Sequence, residues 1–161
     1  MAAETEAKSA DLKEMEARIR SGKREGHYYV ALLGFRTYEA VVIYRLVRKG
    51  FAFSTFERFR KNTSLSQQDL SDLTQITART LVRRREAGKL EPEESDRLLR
   101  ASRIFARALE LFEGDREAAK RWLSTPQVAL GGLVPLELAK TDVGAQEVEF
   151  LVGRLEHGIP A

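Results

Sequence analysis

Between Thr77 and Lys89 the chain carries Arg79, Arg83, Arg84, Arg85 and Lys89 against Glu86 alone. A guanidinium is a planar, permanently charged fork of N–H donors that matches phosphate oxygens and the acceptor edge of guanine. The chemistry this cluster offers is therefore binding to an anionic polymer. The stretch from Leu65 to Glu86 has helix-turn-helix spacing. Ser66 and Thr77 stand as N-terminal caps, the turn falls near Thr74 to Ile76, and the small Ser71 lies where the two helices must approach. In such a motif the second helix enters the major groove and its first residues reach base edges. Thr77 opens that helix, and Arg79, Thr80 and Arg83 are the candidate base readers. Ser66, Gln67, Arg84, Arg85 and Lys89 are placed for phosphate contacts, which position a protein without reading sequence. Any capped helical hairpin with a solvated basic face has the same appearance, so both readings stand at this level.

Catalysis finds little to work with. The 161 residues include no cysteine and only two histidines, His27 and His157, and no phosphate-cradling loop of the G-x-x-x-x-G-K-S/T type. Glu93 and Glu94 fall in the first turn of a helix, where they complement its dipole without any catalytic role. No enzyme activity, metal, cofactor or small-molecule substrate is expected. The composition, 43% hydrophobic and 32% charged with net charge +3, supplies enough apolar material for a compact core. The start MAAETEAKSADLKEMEARIR lacks the apolar centre of a signal peptide, and no apolar run reaches membrane-spanning length. A cytoplasmic protein without membrane contact is the expectation.

The elements that must position these residues are all helical. Residues 1–26 offer only Leu12, Met15 and Ile19 at helical spacing before the breaker-rich Ser21 to Gly26, which predicts a frayed or partner-ordered helix and a mobile linker. Val41, Val42, Leu46 and Val47 predict a helix from about Thr37 to Lys49, stopped by Gly50. Ser54 with Glu57 reads as a capping box opening a short helix, with Phe53, Phe56 and Phe59 supplying its apolar face. Pro92 fits the first position of a longer helix to about Phe112. The apolar stripe of that helix is wide enough to suggest contact on two sides, and it is the expected homodimer seam. Asp115 caps a helix carrying Trp122 and Leu123, Pro135 opens a short one, and Thr141 or Asp142 caps the last, with Val148, Leu151, Val152 and Leu155 at core spacing. Only His27 to Leu33 is ambiguous between helix and strand.

The order of residues after Trp122 resembles the C-terminal toxin-binding domain of the bacterial MbcA/ParS/Xre antitoxins. The matching positions are a Trp122-Leu123 pair, Gly131-Gly132 ahead of Pro135-Leu136-Glu137, Gly144, Val148 and Leu151, and the Arg154-x-Glu156-x-Gly158 ending. The resemblance extends back to about Phe51 and implies a Cro/repressor-like helix-turn-helix domain followed by a small helical toxin-binding domain. The implied units are a flexible segment at 1–26, a helix-turn-helix and dimerisation domain at 34–113 and a toxin-binding domain at 114–161.

The partner the family implies is a RES-domain toxin that consumes NAD, with the antitoxin's C-terminal part filling the toxin's active-site cleft. By that resemblance Gly131, Gly132, Pro135 and Leu136 support the binding loop. Arg154 and Glu156 pair with toxin charges, and His157, Gly158, Ile159 and Pro160 project as a semi-rigid finger. The second implied partner is operator DNA, bound by a homodimer that represses its own operon. A stand-alone helix-turn-helix regulator, and a toxin-binding protein without DNA binding, remain as alternatives. The last gains from Gln75, which occupies the turn position where Cro/repressor-like domains usually carry Gly. A non-Gly residue held left-handed there costs roughly 1 to 2 kcal/mol.

Overall fold

The computed structural model describes the backbone of residues 9–160 and the side chains of residues 12–160. The first eight residues of the predicted flexible segment lie outside the described residues. The fold is all-α: α1 Ser9–Arg20, α2 Tyr29–Leu33, α3 Ala40–Lys49, α4 Phe53–Thr63, α5 Gln67–Thr74, α6 Ala78–Ala87, α7 Pro92–Leu111, α8 Arg116–Leu123, α9 Pro135–Leu138 and α10 Asp142–Glu156. Among the described residues the only β pairing is two isolated bridges, Ala52 with Lys89 and Gln127 with Leu133. The ambiguous His27 to Leu33 segment contains a helix, α2.

Helix α7 is the axis. Leu98, Ile104, Phe105, Ala108 and Leu109 are buried along it, and α2, α3, α4, α5, α8 and α10 pack around it. Each of these leucine, isoleucine and phenylalanine side chains withdrawn from water stabilises the fold by about 1.5 to 3 kcal/mol. The wide stripe does make contact on two sides, but both sides are covered by helices of the same chain. It is not free to form a homodimer seam.

One apolar core runs from Met15 and Ile19 of α1 through Phe56 and Phe59 of α4 to Val148 and Leu151 of α10. Met15 and Ile19, on the helix that the sequence predicts to be frayed or partner-ordered, are buried in this core. The linker after that helix is also tied down. Arg18 pairs with Glu25, Arg24 lies 3.3 Å from Glu156, and the Tyr28 hydroxyl donates to the Lys23 carbonyl at 2.6 Å.

Helix starts follow the sequence signals where a side chain supplies the cap. The backbone N–H groups of Asp69, Thr80, Ala118 and Gly144 donate to Ser66, Thr77, Asp115 and Thr141 respectively. Ser54 does not act this way. Helix α4 begins at Phe53 with Ala52 at its N-cap, two residues earlier than the box implies, and the N–H of Phe53 donates to the Gly88 carbonyl at 2.9 Å while that of Leu90 donates to the Phe51 carbonyl at 2.8 Å. Pairing with a distant segment satisfies a donor that the predicted box was meant to satisfy. Helix α3 likewise starts at Ala40 rather than Thr37, whose hydroxyl accepts from the Glu39 N–H ahead of it.

The turn between α5 and α6 keeps the left-handed geometry despite its sequence. Gln75 sits at φ 55° and ψ 36°, and the Ile76 N–H reaches back to the Ser71 carbonyl at 3.0 Å. This is the closure that normally places Gly at the turn. Ser71 is buried at the crossing, as its small size requires. Near the other end of the chain, Gly144 lets α10 approach α9. A Cβ there would lie 2.1 Å from the Leu138 carbonyl oxygen.

Candidate functional site

Two surfaces carry the chemistry, one on α6 and one on α10. Helix α6 buries Leu81 against the core, which leaves Thr77, Arg79, Val82 and Arg83 exposed on its outer side. The Thr80 side chain is half-buried. Its hydroxyl lies 3.1 Å from that of Thr77 and accepts from Arg83 Nη2 at 3.3 Å, so a short chain of hydrogen bonds orders the start of the helix. Val82, 51% exposed between the two arginines, offers the apolar contact that suits a thymine methyl group. Sequence reasoning passed over it because an aliphatic residue on a helix is assigned to a core by default. Arg85 is exposed on α6, and Ser66, Gln67 and Lys89 are exposed beside it.

Arg84 is the exception among the basic candidates. Its Nε and Nη2 hydrogen bond the Glu94 carboxylate at 2.8 and 3.0 Å, and Glu94 also accepts from the Glu91 N–H at 2.8 Å. Burial alone would raise the Glu94 pKa. The hydrogen bonds from Arg84 and Glu91 outweigh it and hold the carboxyl below its ordinary value. Arg84 thus braces α6 against α7.

On α10 the core side carries Val148, Leu151 and Val152, all buried, while Leu155 is half-buried. The opposite side exposes Val143, Phe150, Arg154 and His157, which share one face at helical spacing. Phe150 is 62% exposed and Val143 74%. Arg107, Glu149, Phe150, Gly153, Arg154, His157 and Ile159 line a shallow hollow on this face. The chain end does not project as a finger from α10. The Ile159 N–H donates back to the Arg154 carbonyl at 2.9 Å, which folds Ile159 beside Phe150.

Glu156 departs from expectation. Its carboxylate is almost fully buried, 2.8 Å from Arg107 and 3.3 Å from Arg24, so it is unavailable to a partner's charges. Pro135 is buried and Leu136 half-buried, so these two support the fold more than they present a surface. Gly131 and Gly132 are exposed at φ 66° and 82°, inside a loop closed by the Gln127 N–H donating to the Leu133 carbonyl at 3.0 Å. Val128 and Leu133 stand exposed on that loop. Val128, Leu133, Val143 and Phe150 were missed in the sequence. For Phe150 a signal existed, since it falls outside the 148, 151, 152, 155 stripe.

A helix-turn-helix head with an exposed basic helix, joined through one core to a helical module with an exposed apolar face, defines the architecture of a helix-turn-helix antitoxin. The chain matches the Antitoxin Xre-like helix-turn-helix domain over residues 42–103 and the Antitoxin Xre/MbcA/ParS C-terminal toxin-binding domain over residues 107–158. It is 36% identical over 128 residues to an Antitoxin Xre of Yersinia enterocolitica, covering 79% of this chain and 86% of the relative. An Antitoxin Xre of Photorhabdus laumondii is 29% identical over the same shares of the two chains. One from Pseudomonas putida is 32% identical over 72% of each. The chain belongs to the Xre antitoxin family. Among the described residues no helix is long and apolar enough to cross a membrane, and no group of three or more His, Cys, Asp or Glu could hold a metal ion.

Proposed function

We propose that this protein is the antitoxin of a type II toxin–antitoxin pair and neutralises a RES-domain, NAD-consuming toxin in the cytoplasm. Its toxin-binding domain seats the exposed face of α10 against the toxin and blocks substrate access to the active-site cleft. The observation that carries this reading is the exposed apolar face of Val143 and Phe150, flanked by Arg154 and His157 within the matched toxin-binding domain, with Ile159 folded beside it just past the match. An aromatic anchor with an arginine at its rim is the composition of an interface hot spot. The Gly131-Gly132 loop with exposed Val128 and Leu133 adds a second contact.

The α6 head binds operator DNA and represses the operon, with Arg79, Val82 and Arg83 reading bases and Gln67, Arg85 and Lys89 holding phosphates. Two half-sites need two heads, so the active species is a homodimer. Because α7 is enclosed, the exposed Val41 and Tyr44 of α3, with Tyr38 just before that helix, supply the face for the second copy.

The test is co-expression with the adjacent gene product, followed by pull-down, growth and intracellular NAD assays. Wild type should bind the toxin and restore NAD. Phe150→Glu and Arg154→Ala should lose both while remaining folded. Neutralisation by these variants at wild-type level would overturn the α10 assignment, and no complex with the full chain would overturn the antitoxin role.

A further inference from the structure

Helices α1 and α4, the end of α6 and the start of α8 border an open groove of about 1320 Å³. Its walls carry Lys13, Arg58, Arg60, Lys61, Arg85 and Arg116 against two carboxylates, Glu16 and Glu57. Both carboxylates are engaged already, Glu16 with Arg116 at 2.8 Å and Glu57 with Arg85 at 3.5 Å. Lys13 and Lys61 are exposed and have no carboxylate partner among the described residues. The groove therefore presents a surplus of positive charge over a partly apolar floor of Leu12, Ala31, Phe53 and Leu65.

The groove is continuous with the reading head. Arg85 belongs to α6 itself, and Arg60 Nη1 donates to Gln67 Oε1 at 3.2 Å, on the first residue of α5. A helix N-terminus carries the positive end of the dipole, so Gln67, Arg60 and the groove present one electropositive line that starts at the helix-turn-helix. An open, unenclosed track of spaced cations suits a row of phosphates better than a small ligand, which a pocket this open would leave in water.

We infer that the groove between α1 and α4 is a second track for DNA phosphates, holding the duplex that flanks the segment read by α6. The inference rests on the DNA-binding reading above and adds to it. Lys13 precedes residue 42, where the helix-turn-helix match begins, so the N-terminal helix contributes DNA affinity from outside the matched domains. An acidic protein segment would satisfy the charge of the groove, but it would leave DNA binding untouched.

The experiment measures binding of the full chain by fluorescence anisotropy, from about 50 to 200 mM salt. One duplex is taken from the region upstream of its own gene and the other is a scrambled duplex of equal length. The Lys13→Ala/Lys61→Ala variant should reduce the slope of log affinity against log salt by about two on both duplexes. Lys13→Arg/Lys61→Arg should restore it. Arg79→Ala/Arg83→Ala should instead erase the preference for the upstream duplex. Both lysines are exposed, and circular dichroism checks that the variants remain helical. A wild-type slope in the double Ala variant, alongside lost preference in the arginine variant, overturns the groove. If the wild type binds neither duplex at the lowest salt, the DNA-binding reading fails and the groove assignment fails with it.

Discussion

Arg107 of α7 places its guanidinium 2.8 Å from the carboxylate of Glu156 at the end of α10, and the same distance from Glu110 one turn further along α7. The Arg-x-Glu ending is thereby divided between two tasks. Residues two apart on a helix point to opposite sides. With Glu156 turned into the molecule and paired, Arg154 is turned out to solvent.

Glu156→Ala should lower stability by about 1 to 2 kcal/mol in urea unfolding, because it removes the buried carboxylate that Arg24 and Arg107 share, while Arg107 keeps Glu110 and Arg24 is half exposed to water. Arg154→Ala should change stability by no more than about 0.5 kcal/mol, the usual range for exposed positions. Equal effects of the two substitutions on unfolding would contradict the division.

Arg84 and Arg83 should separate in the same manner. Arg84→Ala removes three hydrogen bonds to Glu94 and should cost about 2 kcal/mol of stability. Arg83→Ala should leave the unfolding midpoint unchanged and weaken DNA binding. A large loss of stability in Arg83→Ala would show that its side chain is structural.

Two buried carboxylates give opposite pH signatures. Glu94 is held below its ordinary pKa, so its contribution is present above the unfolded-state value and is lost as pH falls through the depressed folded one. Glu110 is raised by burial, with the neighbouring Glu156 charge adding to it against Arg107. Its contribution is complete below the unfolded value and is lost as pH rises through the raised one. Glu94→Gln should therefore be more damaging near pH 7 than near pH 3, and Glu110→Gln less damaging near pH 7 than near pH 3. Unfolding curves at both pH values check the two signs.

Gln75→Gly should raise stability by about 0.5 to 1 kcal/mol. Relief of the left-handed strain, roughly 1 to 2 kcal/mol, exceeds the added chain entropy of glycine. The gain is trimmed by loss of the exposed hydrogen bond from Gln75 Nε2 to the Lys140 carbonyl at 3.3 Å. A destabilised Gly variant would mean that this bond to the toxin-binding domain outweighs the strain.

Ile19→Ala should cost about 2 to 4 kcal/mol, as expected for a buried aliphatic residue. A change near zero would return α1 to the frayed segment that the sequence predicts.

The sequence by itself determined the local elements and the family. Ser66, Thr77, Asp115 and Thr141 could be read as caps because a cap bonds a backbone N–H only a few residues away, and such bonds depend on nearest neighbours alone. Pro92 and Pro135 at the first helical turn, and the order of residues from Trp122 to Gly158, are legible for the same reason. What only the tertiary structure decided involves partners distant in sequence. Phe53 is capped by Gly88, Arg84 is claimed by Glu94, Glu156 by Arg107 and Arg24, and the wide stripe of α7 by six helices of its own chain. A charged or apolar side chain offers the same atoms to a core, an ion pair or a partner. Which of these it meets is fixed when separate helices pack, and for that reason Val82 emerges as exposed only in the folded molecule.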